Sequence, residues 1–233
     1  MEIPVYVFTG FLEAGKTKFI QETLEDKRFN KGERTLLLVC EEGLEEYDPS
    51  TFSGNNVFVH VVEEAEWFTP DRLSALVKRN EAERVVVEYN GMWQLNSFYN
   101  ALPDDWIVYQ EMMFADSTTF VNYNTNIRSL VVDKLQGAEL VIFNRCTDAT
   151  DKLALHRIVR SVSRRADIAY DYTDGRTEYD DIEDPLPFDI NAAVVEVADP
   201  DYALWYRDLM DDPKKYVGKV MRFKGIVAAD GKL

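Results

Sequence analysis

Cysteine and histidine are scarce: the chain has two of each. Cys40 and Cys146 cannot supply a disulfide framework, so both read as reduced thiols of a cytoplasmic protein. Basic charge is also short. Against 42 Asp and Glu stand 26 Lys and Arg, a formal net charge of −16. That balance argues against a nucleic-acid surface, which needs clustered cations to replace counterions. It argues equally against a polybasic patch for anionic lipid. No apolar run approaches the ~18 residues of a membrane span, so no membrane insertion is expected. The N-terminal residues read as a strand and lack the basic and apolar regions of a signal peptide. What remains, 233 residues that are 46% hydrophobic and 29% charged, is the composition of a globular chain of one or two domains.

Strands and helices alternate along the first three quarters of the chain. Ile3–Phe8, Thr35–Cys40, Val57–Val62, Arg84–Glu88 and Glu139–Asn144 are short apolar runs that read as buried strands. Met112–Phe120 reads as extended, and Ile168–Tyr170 as a short last strand. Between them, Thr17–Leu24, Pro70–Arg79, Asn126–Leu135 and Asp151–Arg165 read as helices. Leu153, Leu155, Ile158, Val159 and Val162 mark one apolar face of the last. Alternation of this kind implies an α/β fold, with a mostly parallel sheet covered by helices on both faces. The reading assigns residues 1–172 to this domain and 173–191, rich in acids, to a linker. Residues 192–233 form a small C-terminal β-containing module. In it Ala192–Val197 reads as a strand, Tyr202–Met210 as a helix and Tyr216–Val227 as an alternating strand. A β-module rarely closes after one good strand, so an incomplete module is expected, or a strand that pairs back onto the first domain. Its Tyr-x-Gly-Lys start is similar to the opening of an OB-like barrel.

Three segments carry chemistry. Gly10-Phe-Leu-Glu13-Ala14-Gly15-Lys16-Thr17 matches the phosphate-binding loop G-x-x-x-x-G-K-S/T. The glycines let successive backbone N–H groups turn inward on a phosphate. Lys16 then reaches the β- and γ-phosphates, and the Thr17 hydroxyl ligates Mg²⁺. Glu13, Ala14 and Lys18 belong to the same candidate cradle. Chance alone yields such a match in roughly one chain of this size in a hundred, but here a strand precedes it and a helix follows. Second, the strand Arg84–Glu88 ends in a carboxylate suited to holding Mg²⁺, and Gly91 lies three residues on, placed to offer its N–H to a γ-phosphate. Third, Asn144-Arg145-Cys146-Thr147-Asp148 follows a strand in the manner of the guanine-reading N-K/R-x-D motif, with its acid one residue late. The carboxylate comes from Asp148 through a bulged loop, or is missing. Cys146, in that loop, reads as a partly exposed thiol, Cys40 as a buried one and His156 as structural.

These elements, in this order, resemble the CobW/YjiA family of P-loop GTPases, metal chaperones and metal-insertion proteins. The stretch from Val7 to Thr17 is similar to the family's T-G-F-L-G-A-G-K-T, with Glu13 in place of a glycine. Glu41, Gly43 and Asp48 resemble its switch segment N-E-F-G-x-x-G-x-D. Glu88 and Gly91 match its E-x-x-G, and Phe114–Phe120 is similar to its V-D-A-x-x-F. The family's C-x-C-C motif, a set of soft thiolate ligands, is absent, as is its histidine-rich tail. Glu63, Glu64 and Glu66, with His60, Glu41 and Glu42, offer a harder oxygen-rich set instead, or simply a solvated acidic loop. The resemblance implies GTP and Mg²⁺ as ligands, with a transition metal lacking its usual thiolates. It further implies slow hydrolysis with Lys16, Glu88 and Glu41 in the catalytic machinery and Thr17 and Glu88 on Mg²⁺. A client protein or a nucleotide-dependent homodimer would be the partner. Two other readings stand beside it: a nucleotide-dependent scaffold with little hydrolysis, and an ATPase or kinase of relaxed specificity.

Overall fold

The computed structural model of the protein describes residues 2–225. Its centre is β1, Ile3–Gly10, which pairs in parallel with β4, Arg84–Glu88, on one side and β5, Trp106–Asp116, on the other. Beyond β4 lie β2, Thr35–Val39, and β3, Val57–Val61. Beyond β5 lie β6, Leu140–Cys146, β7, Asp167–Tyr172, and β8, Thr177–Tyr179. The order is β3-β2-β4-β1-β5-β6-β7-β8, parallel throughout except for the β7–β8 hairpin. The chain leaves β1, builds β2 and β3 outward, and returns to place β4 beside β1. It then crosses to the other side. That reversal opens a crevice at the carboxyl ends of β1 and β4, where open α/β sheets bind their ligands.

Strands covered on both faces explain why β2 and β4 are buried at every position. Side chains alternate between faces. Leu36, Leu38, Val85 and Val87 pack with Leu73 of helix α2, Pro70–Asn80, and Phe98 of α3, Leu95–Tyr99. Leu37 and Val86 face the opposite side, against Ile20 and Leu24 of α1, Lys16–Glu25. A further cluster joins β6 to Val131 and Leu135 of α5, Arg128–Gly137, and to Leu155 and Val159 of α6, Lys152–Arg160. Thr69 caps α2 ahead of Pro70, and Asp151 caps α6 through the Ala154 N–H at 3.0 Å.

Several sequence-based boundaries move. β5 begins at Trp106, six residues before the expected start, and gives way at Ser117 to α4, Phe120–Asn126. The single helix expected over Asn126–Leu135 is divided, because Ile127 (φ −132°, ψ 44°) separates α4 from α5. α6 stops at Arg160 rather than Arg165. β8 lies within the segment that composition assigns to a linker.

The chain divides into two units between Asp180 and Asp181. In the second unit, β9, Val195–Glu196, pairs in parallel with β10, Met221–Arg222. The strand expected over Tyr216–Val227 is therefore two residues long among the described residues, and pairs inside its own unit. Tyr216 itself ends a 3-10 turn, while Val227 lies outside the described residues. Val195, Val197, Tyr216 and Trp205 of α7, Tyr202–Asp211, form its small core. No described helix is long and apolar enough to cross a membrane.

Candidate functional site: a phosphate-loop cleft

The cleft at the carboxyl end of β1 is lined by the loop Leu12–Thr17, by Glu41, Gly43 and Glu45, by Glu88 and by Arg145. The loop fits because its two glycines stand where a side chain would not: Gly10 has φ 126°, and a Cβ there would stand 2.0 Å from Phe114 O. Gly15 has φ 91°, and a Cβ there would stand 1.9 Å from Asn144 Nδ2. Gly91 carries an ordinary φ, but a Cβ on it would meet Gly10 O at 2.5 Å and Phe11 Cα at 2.7 Å. The segment after β4 is thereby pressed against the loop backbone.

Lys16 heads α1 and is almost fully buried. Its ammonium donates to Gly10 O (2.8 Å), Phe11 O (3.0 Å) and Glu41 Oε2 (2.6 Å). Thr17 Oγ1 donates to Glu88 Oε1 at 2.7 Å, and Tyr47 donates its hydroxyl to the other carboxylate oxygen at 2.6 Å. Burial pushes the Glu88 carboxyl above its usual range and, with Glu88 alongside, raises the Tyr47 phenol. Tyr47 is a site residue that sequence reading missed. The segment Glu41–Asp48 was legible as a unit, but nothing local marks which member reaches a carboxylate 41 positions away.

Asn144 donates to Ala14 O at 2.6 Å and so braces the phosphate loop. Arg145, at φ 56°, pairs with Asp116 and borders the cleft. Asp148 does not line it. Its carboxylate is exposed and bonds Arg176 at 2.8 Å. Lys18 also stays out, pairing with Glu22 one turn along the exposed face of α1. Glu13 adopts φ 59°, which accounts for the glycine in the family pattern, and its carboxylate accepts from Leu44 N at 2.8 Å. Replacing Glu13 by glycine relieves about 1 kcal/mol of backbone strain and removes a bond of similar worth. Stability is expected to stay near the parent's while cleavage of the 41–48 segment by limited proteolysis accelerates; an unchanged cleavage rate would mean that Glu13 does not tether it.

The metal-ligand candidates are not brought together: among the described residues no group of three or more His, Cys, Asp or Glu is arranged to hold a metal ion. His60 packs against Trp67 at 4.9 Å. Cys146 is fully buried at the end of β6, its thiol on Phe143 O at 3.2 Å, and not partly exposed as its place in the loop predicts. Burial raises both thiols. His156 is buried and bonds Asp180 at 2.7 Å.

A parallel sheet with a glycine-shaped loop, an invaginated lysine and a threonine–carboxylate pair at its switch point defines a P-loop nucleotide-binding protein. Residues 4–170 match the family model CobW/HypB/UreG, nucleotide-binding domain, and the chain belongs to that family. Among solved structures it resembles the Zn(II)-bound YjiA GTPase from E. coli, at 19% identity and TM-score 0.52, over 72% of this chain and 57% of that one. A Zn(II)-bound triple mutant of YjiA aligns at 20% identity and TM-score 0.55, over 76% and 60%. Hydrogenase maturation factor HypB from Archaeoglobus fulgidus aligns at 13% and 0.50, over 72% and 80%. These likenesses concern the fold, and the chain spans less than two thirds of the length of YjiA. No curated protein matches the chain.

Proposed function

We propose that the protein binds GTP with Mg²⁺ on the Gly10–Thr17 loop and hydrolyses it, slowly on its own, as a metallochaperone or metal-insertion GTPase of the CobW type. The observation that carries the reading is the convergence of Lys16, Thr17, Glu41 and Glu88 on one cleft. Thr17 Oγ1 and the Glu88 carboxylate are hard oxygen donors 2.7 Å apart, the chemistry Mg²⁺ prefers, and these are the residues that would hold it. When bound, the ion supplies Lewis-acid neutralisation of phosphate charge. The chain's own part is positioning and electrostatics, which is most of what phosphoryl transfer asks of a protein. Lys16 is held by its loop to neutralise the β- and γ-phosphates. The Gly91 N–H, on the segment pressed against the loop, is the donor this reading assigns to the γ-phosphate, and Glu41–Asp48 reorders as phosphates arrive, releasing Glu41 from Lys16 and Tyr47 from Glu88. A client protein or a second copy of the chain supplies whatever water-orienting group raises the rate.

A second reading, a nucleotide-gated binding module with little hydrolysis and no cargo metal, is favoured by the burial of both cysteines. Calorimetric titration of GTP and ATP with Mg²⁺ tests the first. GTP is expected to bind at least tenfold more tightly than ATP (~1.4 kcal/mol), and Lys16→Ala to lose both. Equal binding would point to relaxed specificity, and no binding would overturn the reading. Single-turnover hydrolysis then separates enzyme from module.

A further inference from the structure

The loops after β6 and β7 lie side by side. Cys146 pairs with Tyr172 across the two strands, and Thr173 N donates to Cys146 O at 3.0 Å. The loop after β6 also reaches the phosphate loop, through Asn144 on Ala14 O. A nucleotide whose phosphates sit on Gly10–Thr17 therefore presents its base to these two loops, a statement that rests on the function proposed above.

The second loop carries a residue to which no sequence motif points. Arg176 stands just before the return strand of the hairpin, and its guanidinium, about half exposed, is held by three carboxylates. Nη2 donates to Asp148 Oδ1 at 2.8 Å, Nε to Asp174 Oδ2 at 2.8 Å and Nη1 to Glu178 Oε1 at 3.2 Å. Its carbon lies 4.2 Å over the Tyr172 ring. The Arg176 N–H donates to Asp174 Oδ1, closing the turn. Asp148, by contrast, stands on an exposed turn, where a carboxylate left alone samples several rotamers.

We propose that Arg176 is the positioning residue for guanine selection: its fork holds Asp148 as the carboxylate acceptor that the base-reading loop presents one residue late. Guanine offers N–H donors at N1 and N2, which a fixed carboxylate accepts together. Adenine has a bare acceptor at N1, which the same carboxylate repels. A bulge makes the late position usable. The β6–β7 register shifts between Phe143 and Cys146, and Arg145 takes a left-handed φ of 56°. The loop thus carries one residue more before its acid, and Arg176 fixes where that acid ends.

Exposed ion pairs contribute little to stability, so the variants should fold. Competition binding of GTP, ATP and xanthosine triphosphate, each with Mg²⁺, is measured on the parent, Arg176→Ala, Arg176→Lys and Asp148→Asn. Arg176→Ala is expected to lower the GTP-to-ATP preference about tenfold with ATP affinity unchanged, a split that a general loss of structure would not give. Arg176→Lys, a cation without the fork, falls between. Asp148→Asn is expected to lose GTP and gain xanthosine triphosphate, because the amide donates to the carbonyl that replaces guanine's amino group. A GTP-preferring parent whose preference survives Arg176→Ala would overturn the inference and leave the proposed function standing. A parent that binds both nucleotides equally also overturns it, while nucleotide binding stands. A parent that binds neither overturns both.

Discussion

Glu41→Gln is expected to tighten binding of a magnesium nucleotide by about tenfold to a hundredfold (~1.4 to 2.7 kcal/mol), read by calorimetric titration at fixed Mg²⁺. An ammonium has three N–H donors, and those of Lys16 are committed to Gly10 O, Phe11 O and Glu41 Oε2. A phosphate reaches Lys16 only by displacing one of them. The two carbonyls belong to the loop whose shape makes the cradle, so the group that yields is Glu41, 25 residues away on another segment. Its carboxylate is a competitor twice over: it neutralises the cation and it repels the incoming anion. Glutamine keeps the size and an acceptor oxygen but not the charge. The buried pair also holds the fold, and breaking such pairs outright costs about 3–5 kcal/mol. The glutamine variant is therefore expected to melt below the parent without nucleotide and to recover at saturating nucleotide, by mass action. Since Glu41 also belongs to the proposed catalytic set, single-turnover hydrolysis should fall even as affinity rises. A drop in affinity instead would show that Glu41 holds the bound state together and does not compete with it.

The sequence made this cleft legible because its parts are local. The loop, its glycines, Lys16 and Thr17 lie within eight consecutive residues, and Glu88 closes an uninterrupted valine strand. Hydrophobic runs likewise revealed β1, β2, β4 and β6, which are buried on both faces. β5 hid its first half because Tyr109, Gln110 and Glu111 interrupt the apolar pattern. Tyr109 is exposed, and Glu111 is a charge-bearing residue buried in mid-strand. β8 is three residues, Thr-Glu-Tyr, inside an acidic stretch. Its Glu178 is paired with Arg176, two residues back, and with Lys152, 26 residues away, and composition, which records no pairing, reads only excess charge. Tyr47 and Arg176 escaped for the same reason. Each acts through one bond to a carboxylate 41 or 28 residues away, and spacing patterns carry no record of contacts made by folding.

That misread strand carries the second large effect. Glu111 is buried in β5, accepts from the Tyr99 hydroxyl through Oε2, and has no partner for Oε1. Burial raises its carboxyl to about 7. Lys134 opposes the rise, while Asp133 and Glu139 add to it. Lys134 cannot fully compensate, because it is committed to Asp133 at 2.7 Å and to Trp93 O. A carboxyl near 7 in the fold and near its ordinary 4.5 when unfolded makes the folded state the better proton binder between those values. Stability is then fully present below the unfolded value and is lost as pH rises through about 7. From pH 5 to pH 8 the loss amounts to about 2.5 kcal/mol. Glu111→Gln removes the proton while keeping an acceptor for Tyr99, so its urea midpoint should gain on the parent's across that range by a comparable free energy. A difference between the two proteins that stays constant from pH 5 to pH 8 would show that Glu111 is ionised in the fold throughout. The site of the strain matters for the cleft. Lys134 and Asp133 anchor the chain just past Gly91, through Trp93 O and the Leu95 N–H. Gly91 in turn is pressed on the phosphate loop at Gly10. Ionising Glu111 therefore loads the same segment that nucleotide binding must order, and affinity measured at pH 8 should be weaker in the parent than in Glu111→Gln.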